Sequence, residues 1–305
     1  MAAFSQAYPT RPITLVAPYS AGSGIDILSR VLADKLAVGL KQPVIVDDRP
    51  GAGGNLGAGY VAKAEPDGYT LLITGNALSV APALYKQLPF DPLKNFSHIS
   101  EVATGSMALV VNPKVLPVKN LEELKSAALK NPGKLNYSSA GIGTPHHLGM
   151  ELFKRQLGLN ITHIPYGGAT GALNDLLAGH VQLAMFPVNV VLPYAKSSQL
   201  RVIAVSGTGR SQLAPDSPTF EEAGLKDLDI GLYYFISGPA NLPAAVTAKL
   251  HEEIVATLNE PAVRDRLLEL GLVPQSSTPE AVTSLIDEDV NRWMTFIKAA
   301  HITAQ

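Results

Sequence analysis

Apolar residues along this chain form two alternating patterns. Short, nearly continuous apolar runs, such as residues 13–17 and 107–111, predict buried β-strands. Between such runs, apolar residues recur at intervals of three and four, as at Ile25, Leu28 and Leu32, and this spacing predicts helices with one buried face. Strands that alternate with helices are typical of α/β proteins, so we expect parallel sheets with helices on both faces.

The alternation runs once through the first third of the chain and then starts again. The first series predicts strands at 13–17, 44–46, 70–74 and 98–103, with helices at about 25–36 and 56–64. The second predicts strands at 107–111, 135–138, 161–165, 182–186 and 200–205, with clear helices at 121–129 and 148–156. A β-rich run at 233–236 then precedes a tail with predicted helices at 250–258, 262–270 and 285–297.

These two series predict two lobes, because a chain of 305 residues is long for one hydrophobic core. We expect the first lobe to comprise residues 8–104 and 208–305, and the second to comprise residues 105–207. The chain would then cross between lobes near 104–107 and 207–236. Two crossings form a hinge, so the expected architecture is a pair of lobes with a ligand cleft between them.

Composition narrows the class of protein. With 46% hydrophobic residues, 16% charged residues and a formal net charge of −2, the chain is that of an ordered globular protein. It has no block of Lys or Arg, and so lacks the basic footprint that nucleic-acid and membrane-surface binding usually need. No apolar run reaches the roughly 18 residues that span a bilayer. The absence of cysteine excludes disulfides and thiolate metal sites.

A glycine-containing turn at residues 20–24 joins the first predicted strand to the first predicted helix. Ser23 and Asp26 have the spacing of a capping box, in which each side chain satisfies a backbone N–H group at the helix start. Free N–H groups and the positive end of the helix dipole meet there, which favours an anion. The turn is therefore either a well-capped connection or a ligand site at which the N–H groups of residues 21–24 face the ligand.

A second turn of this kind lies at residues 138–147. Thr144 is predicted to be the N-cap of the following helix and Pro145 its first residue. Gly141 and Gly143 allow a ligand to approach the backbone closely. Neither turn contains the Lys of a phosphate-binding P-loop. Two uncharged anion-binding turns, one in each expected lobe, indicate a site that holds a carboxylate.

No other pattern indicates catalysis, a cofactor or a metal. Residues 51–57 read G-x-G-G-x-x-G rather than the dinucleotide fingerprint G-x-G-x-x-G, and a structural turn is the better interpretation. Adjacent histidines on a helix, such as His146 and His147, cannot chelate one metal as an i, i+4 pair does. His147 either faces the ligand or is a capping or surface residue. Neither G-x-S-x-G nor S-x-x-K occurs, so we expect no catalytic residue.

Several motifs stand in an order that resembles one receptor family. They are Tyr8-Pro9-x-Arg11-Pro12-Ile13, the turn of residues 18–26, Arg49-Pro50-Gly51-Ala52-Gly53-Gly54-Asn55, Pro66-Asp67-Gly68-Tyr69-Thr70, Leu135-Asn136-Tyr137-Ser138-Ser139-Ala140-Gly141, Pro165-Tyr166-Gly167-Gly168 and Glu221-Glu222-Ala223-Gly224. Over nearly the whole chain they resemble the extracytoplasmic solute receptors of tripartite tricarboxylate transporters, the Bug family.

The resemblance implies a type II periplasmic-binding-protein fold, the Venus flytrap arrangement of two α/β lobes, with no enzymatic activity. It also implies that the protein captures a small carboxylate in the periplasm and delivers it to membrane transporter subunits. In that family, backbone groups and ordered waters of two loops hold the carboxylate, and these loops match residues 19–24 and 138–144 here. We expect the protein to be a monomer. We also expect its mature chain to begin near Tyr8, because Ser5-Gln6-Ala7 has the small-x-small form of a signal cleavage site.

One position departs from the family pattern. Many members have Asp after a Met-Phe pair near the ligand, whereas this chain has Phe186 or Pro187 there, depending on the alignment. An Asp pairs with a ligand ammonium group, and Phe or Pro cannot. We therefore expect a ligand without an amino group and with an apolar or aromatic middle, such as the dicarboxylate terephthalate.

The predicted binding residues combine the two turns with polar and aromatic residues at strand ends. They are Tyr19, Ser20, Ala21, Gly22, Ser23, Gly24, Asn76, Ser138, Ala140, Gly141, Gly143, Thr144, His147, Tyr166 and Phe186. Two other functions are compatible with this pattern: a receptor that presents its ligand to a signalling protein, and an enzyme of the same fold class.

Overall fold

The computed structural model describes residues 8–207, 209–226, 228 and 230–303. The expected cleavage motif Ser5-Gln6-Ala7 lies outside these residues. Packing divides the chain into two compact units. The first contains the described residues up to Thr104 together with Tyr233–Ala299, and the second contains Gly105–Leu232 and the described residues from 300 onward.

Strands and helices alternate along most of the chain. The strands are β1 (Ile13–Ala17), β2 (Val44–Asp48), β3 (Thr70–Gly75), β4 (Phe96–Gly105), β5 (Met107–Val111), β6 (Asn136–Ser139), β7 (Thr162–Pro165), β8 (Leu183–Pro187), β9 (Arg201–Val205), β10 (Leu232–Pro239) and β11 (Val273–Pro274). The helices are α1 (Gly24–Leu40), α2 (Asn55–Val61), α3 (Ala77–Leu84), α4 (Leu121–Lys130), α5 (Pro145–Leu157), α6 (Ala169–Ala178), α7 (Val188–Lys196), α8 (Ala244–Asn259), α9 (Pro261–Glu269) and α10 (Pro279–Ala299). Every strand and helix predicted from the sequence is present, with ends that shift by a few residues.

Each unit is built around its own sheet. The first unit has six strands in the order β11-β4-β10-β3-β1-β2, and the second has five in the order β7-β6-β8-β5-β9. In the first sheet β1 pairs in parallel with β2 and β3. In the second sheet β6 pairs in parallel with β7 and β8.

The expectation of parallel sheets is wrong for three of the described strands. β10 is antiparallel to β3, β11 is antiparallel to β4, and β5 is antiparallel to both β8 and β9. Parallel neighbours need a crossover connection of a dozen or more residues, usually a helix. β5 and β10 instead enter their sheets directly from the other unit, without a crossover helix. An apolar run looks the same in either direction, so the sequence pattern does not reveal this.

The cores explain why the strands read as continuous apolar runs. In β1, Ile13 and Leu15 pack into a cluster with the buried face of α1, while Val16 points to the opposite cluster with Val61 and Phe235. A strand covered on both faces needs apolar residues at successive positions. Because β1 and β6 each have a strand on both sides, the turns that follow them are anchored by buried backbone at their N-terminal ends.

The segment from 209 to 232 lies in the second unit, whereas the sequence analysis placed it in the first lobe. The Val205 amide donates to the Pro218 carbonyl, and the Phe220 amide donates to the Val205 carbonyl, so the segment continues the hydrogen bonding of β9. Arg210 also pairs with Glu222 at 3.0 Å and closes the loop. Among the described residues, no helix combines the length and apolar character needed to span a bilayer.

Candidate functional site

The first turn leaves β1 at Ala17 and enters α1 at Gly24, as the sequence predicted. Ser23 is the N-cap, and its hydroxyl accepts a hydrogen bond from the Asp26 amide at 3.2 Å. The Asp26 carboxylate reaches one residue further back than in a capping box, because its Oδ2 accepts from the Gly22 amide at 2.6 Å. Gly22 has φ +80°, a conformation in which a residue with a Cβ is strained.

Only part of this turn has N–H groups available to a ligand. The Gly22 amide is used by Asp26, and the Ser23 amide donates to the Ser20 carbonyl at 3.1 Å. The amides of Ala21 and Gly24 have no partner among the described residues. Ser20, Ala21, Gly22 and Gly24 are all exposed. The expectation that all four N–H groups of residues 21–24 face a ligand is therefore corrected to two, those of Ala21 and Gly24.

Tyr19 and Asn76 lie in the same unit as the first turn. The Tyr19 hydroxyl donates to the Gly53 carbonyl at 3.4 Å, which places the glycine-rich segment after β2 beside the turn. Burial, followed by the neighbouring hydroxyl of Tyr234, raises the pKa of Tyr19, which therefore stays protonated and able to donate. The Asn76 side chain accepts from the Tyr233 amide at 3.1 Å and so joins α3 to β10.

The second turn leaves β6 at Ser139 and enters α5 at Pro145. Thr144 is the N-cap and Pro145 the first helical residue, as predicted. The Thr144 hydroxyl does not cap the helix, however, because it donates to the Gly141 carbonyl at 2.7 Å. The Gly143 amide donates to Nδ1 of His147 at 3.1 Å. Gly141 and Gly143 both have positive φ, at +130° and +79°.

More N–H groups are available in the second turn than in the first. The amides of Ala140, Ile142, His146 and His147 have no hydrogen-bond partner within the described part of the chain. Two of them belong to the first turn of α5, where the helix dipole is positive and the cap side chain points away. The second turn therefore offers more N–H groups to an anion than the first.

The structure buries three of the predicted binding residues of the second unit. Ser138 is wholly buried, and its hydroxyl donates to the Ala172 carbonyl at 3.0 Å. Phe186 is also wholly buried and belongs to the core of its sheet. His147 is 5% exposed, and its ring accepts a hydrogen bond from the Gly143 amide of the turn. Direct ligand contact by the side chains of Ser138 and Phe186 is not supported by these positions.

Tyr166 is half-buried, and its hydroxyl donates to the Asp175 carboxylate. Burial and that carboxylate raise the pKa of Tyr166 to about 12. Its backbone lies against the second turn, since a Cβ on Gly141 would be 3.4 Å from the Tyr166 carbonyl oxygen. Tyr166 thus supports the turn with its main chain while its side chain is engaged elsewhere.

Two histidines that the sequence analysis did not select lie close to this turn. His163 on β7 stacks on His147 with ring centres 4.2 Å apart, and its Nε2 is 2.7 Å from Oγ of Ser139. The His146 ring packs edge-on against Phe186 at 4.9 Å, and both of its ring nitrogens are buried without a hydrogen-bond partner in the described structure. The strand pattern gave no sign that His163 faces the turn, because a partly buried strand position tolerates many residue types.

A metal site in this chain would need acidic and histidine side chains that converge on one point. Among the described residues, no group of three or more His, Asp or Glu side chains is placed to hold a metal ion. Neutral histidines and backbone N–H groups instead offer hydrogen bonds to an oxyanion. The groups available at both turns are therefore suited to hydrogen bonding with an anion.

Known proteins resemble this chain in both sequence and structure. Residues 28–302 match the family described as tripartite tricarboxylate transporter family receptor. The solved structure of the periplasmic binding protein BugD is 32% identical, with a TM-score of 0.82, over 97% of this chain and 100% of that one. This similarity and the two mixed sheets confirm the expected α/β fold of periplasmic binding proteins.

Two further solved structures contain small carboxylates. The R. palustris protein Rpa4515, solved with adipate, is 30% identical with a TM-score of 0.85, over 97% of this chain and 100% of that one. MatC (Rpa3494) from Rhodopseudomonas palustris, solved with bound malate, is 29% identical with a TM-score of 0.81, over 95% of this chain and 100% of that one. Both ligands are dicarboxylates.

Proposed function

Because this chain belongs to the receptor family of tripartite tricarboxylate transporters, we propose that it captures a small dicarboxylate in the periplasm for delivery to a membrane transporter of that type. The family match confirms the family predicted from the sequence, and the protein is a solute receptor and not an enzyme. A receptor needs only to bind and release, which agrees with turns that offer N–H groups rather than a nucleophile with its base.

One observation carries the ligand class: several backbone N–H groups at the two turns have no hydrogen-bond partner among the described residues. They are those of Ala21 and Gly24 in the first turn, and those of Ala140, Ile142, His146 and His147 in the second. Each set lies at a glycine turn before a helix, where an anion is favoured. We propose that N–H groups of this kind bind the carboxylates of the ligand. Adipate and malate, the ligands of the two relatives, have two carboxylates each.

The strength of such binding is adequate without a cationic side chain. A dissociation constant of 1 μM corresponds to about 8 kcal/mol. A hydrogen bond to a charged group contributes roughly 1.5–3 kcal/mol net, and a helix N-terminus adds about 0.3–1 kcal/mol. About three or four such bonds, with the burial of the ligand's carbon chain, therefore reach micromolar affinity after the cost of association.

The ligand is proposed to lack an amino group. Neither Phe186 nor Pro187, the two alternatives for the position that is Asp in many relatives, can pair with an ammonium group. The apolar or aromatic middle expected from the sequence stays a proposal; Phe186 itself lies in the core, where its ring contacts that of His146 in the second turn.

A thermal-shift screen over mono-, di- and tricarboxylates tests the proposal. A ligand at 100 times its dissociation constant adds about 2.7 kcal/mol to the free energy of unfolding. We expect the largest shift with a dicarboxylate, a smaller one with its monocarboxylate analogue, and none with the corresponding diol. A shift that is equal for the diol would show that the carboxylates are not what the protein recognises. Uptake of the best ligand by cells with and without the transporter genes then tests delivery.

A further inference from the structure

The glycine and the N-cap residue that precede each helix have matching backbone angles, although the sequences of the two turns differ. Gly22 has φ +80° and Gly143 has φ +79°. The N-cap residues that follow are extended, with φ −69° and ψ 161° at Ser23 and φ −71° and ψ 157° at Thr144. In each case a glycine in the left-handed region precedes the cap and turns the chain into the helix. The glycine and the N-cap are thus arranged alike at the start of both helices.

The third helical residue closes both turns in the same way. Asp26 Oδ2 accepts from the Gly22 amide at 2.6 Å, and His147 Nδ1 accepts from the Gly143 amide at 3.1 Å. Each side chain reaches back past the N-cap to the glycine, and so fixes the peptide that positions the neighbouring N–H groups. An imidazole in one turn therefore does what a carboxylate does in the other.

The two closing groups differ in charge. Asp26 brings a negative charge, which the Arg30 guanidinium offsets from 2.6 Å. Burial lowers the pKa of His147, against the opposing effect of Glu151, so the imidazole is neutral at pH 7. A carboxylate bound at the second turn therefore meets no negative charge from the residue that closes it.

The His147 ring is held in the required orientation by stacking. His163 lies on one face with ring centres 4.2 Å apart and an angle of 13°, and Tyr137 stacks in turn on His163 at 4.7 Å and 14°. The His163 Nε2 is fixed by Ser139 Oγ at 2.7 Å. Because the stack fixes the plane of His147, its Nδ1 stays directed at Gly143.

We propose that His147 is a positioning residue that fixes the second turn through the Gly143 amide while keeping that turn free of negative charge. This inference rests on the proposed carboxylate-binding function. It requires the neutral tautomer with the proton on Nε2, because Nδ1 must offer its lone pair.

Two matched pairs of proteins separate the acceptor from the charge. His147→Asn and His147→Asp both place an oxygen near the position of Nδ1 and both lose the ring, so they differ in charge. His147→Phe keeps the stacked ring and loses the acceptor, so it differs from the wild type in the hydrogen bond. Thermal unfolding of each unliganded protein shows whether it is folded before its affinity is compared.

Calorimetry with adipate and malate gives the first readout. Relative to the wild type, we expect the dissociation constant to stay within about threefold for His147→Asn and to rise by about tenfold or more for His147→Phe. For His147→Asp we expect a value about tenfold or more above that of His147→Asn. Equal affinities of the Asn and Asp variants would overturn the inference, as would a Phe variant that binds as tightly as the wild type.

Nuclear magnetic resonance gives a second readout that needs no ligand. The ¹⁵N shifts of His147 should show the Nε2–H tautomer, and the Gly143 amide should exchange with solvent faster in His147→Phe than in the wild type. A proton on Nδ1 of His147 would overturn the inference whatever the protein binds. If the wild type bound no carboxylate, the proposed function would fail, and this readout alone would decide the role of His147.

Discussion

Arg30 Nε lies 2.6 Å from Oδ1 of Asp26, one helical turn earlier on α1. The Asp26 side chain is only 4% exposed, and its other oxygen holds the Gly22 amide. A nearly buried carboxylate thus lies next to the turn for which we propose anion binding. Arg30 offsets that charge and also contacts Asp48 at 2.9 Å. This ion pair makes the first turn compatible with a negatively charged ligand.

Replacing Arg30 should therefore weaken both ligand binding and the fold. For Arg30→Gln we expect about tenfold weaker dicarboxylate binding, because the uncompensated Asp26 charge repels the ligand. We also expect the free energy of unfolding to fall by about 1–2 kcal/mol, less than for a fully buried pair since Arg30 itself is half exposed. Calorimetry and urea denaturation measure the two effects. Arg264→Gln, which removes an exposed arginine from α9, is the control and should change neither.

Substitution of one glycine in each turn tests whether both turns contribute to ligand binding. Gly22→Ala and Gly141→Ala place a Cβ on residues with positive φ, which distorts the turn and displaces its N–H groups. We expect each variant to lose most of the stabilisation that the ligand gives the wild type, measured as a thermal shift with the same dicarboxylate.

Matched controls for this strain exist outside both turns. Gly158 and Gly224 have positive φ values of +63° and +89°, and a Cβ on either would meet no atom within 4 Å. Gly158→Ala and Gly224→Ala should lower the unliganded stability by about 1 kcal/mol, as Gly22→Ala should, yet keep the full ligand shift. An unchanged shift in Gly22→Ala and Gly141→Ala would remove these turns from the binding site.

Acid should destabilise the unliganded protein. Burial lowers the pKa of His98, His146 and His163 to about 4, so the folded state keeps them neutral while the unfolded chain takes up protons below pH 6.5. Stability is therefore fully present above about pH 6.5 and is lost as the pH falls towards 4. Each such histidine contributes a slope of up to about 1.4 kcal/mol per pH unit.

Denaturation with urea at a series of pH values between 7.5 and 4.5 measures this slope. In His163→Phe, the ring still fits between Tyr137 and His147 but has no titrating nitrogen, so the slope should become shallower. His301→Gln, at an exposed position after α10, should leave the slope as it is. An identical slope in His163→Phe and the wild type would contradict the assignment.

A buried hydroxyl joins α10 to the first sheet. Tyr233 OH donates to Oδ2 of Asp289 at 2.6 Å, and Asp289 is 5% exposed. Tyr233→Phe leaves that carboxylate short of one hydrogen bond, and we expect the free energy of unfolding to fall by about 1.5–3 kcal/mol. Tyr60→Phe removes a hydroxyl from a ring that is 44% exposed, and should cost less than about 0.5 kcal/mol in the same urea titration. Equal losses in the two variants would contradict the role of the buried hydroxyl.

The sequence predicted what depends on local patterns. The run at 13–17 is a strand with those bounds, and Ser23, Thr144 and Pro145 occupy the cap positions expected of them. Hydrophobic periodicity and cap preferences depend on residues a few positions apart, so they can be recognised in one amino-acid sequence. The position of both turns followed from this.

What the sequence did not reveal depends on contacts between distant residues. The direction of β5 and β10 is set by chain crossings, and the place of residues 209–232 by pairing with β9. Likewise, nothing local distinguishes a His147 that faces a ligand from one that turns back to Gly143 beneath a stacked His163. Phe186 was selected because it ends a strand, whereas its ring is covered by packing from α5.

Calorimetric titration with paired ligands tests the central claim most directly. Adipate and 2-aminoadipate, and malate and aspartate, are each pairs of dicarboxylates in which one member carries an ammonium group. We predict that at least one amino-free dicarboxylate binds with a dissociation constant of about 1 μM, and that its amino partner binds about tenfold more weakly or worse. Binding of neither dicarboxylate, or equal binding within both pairs, would contradict the proposal.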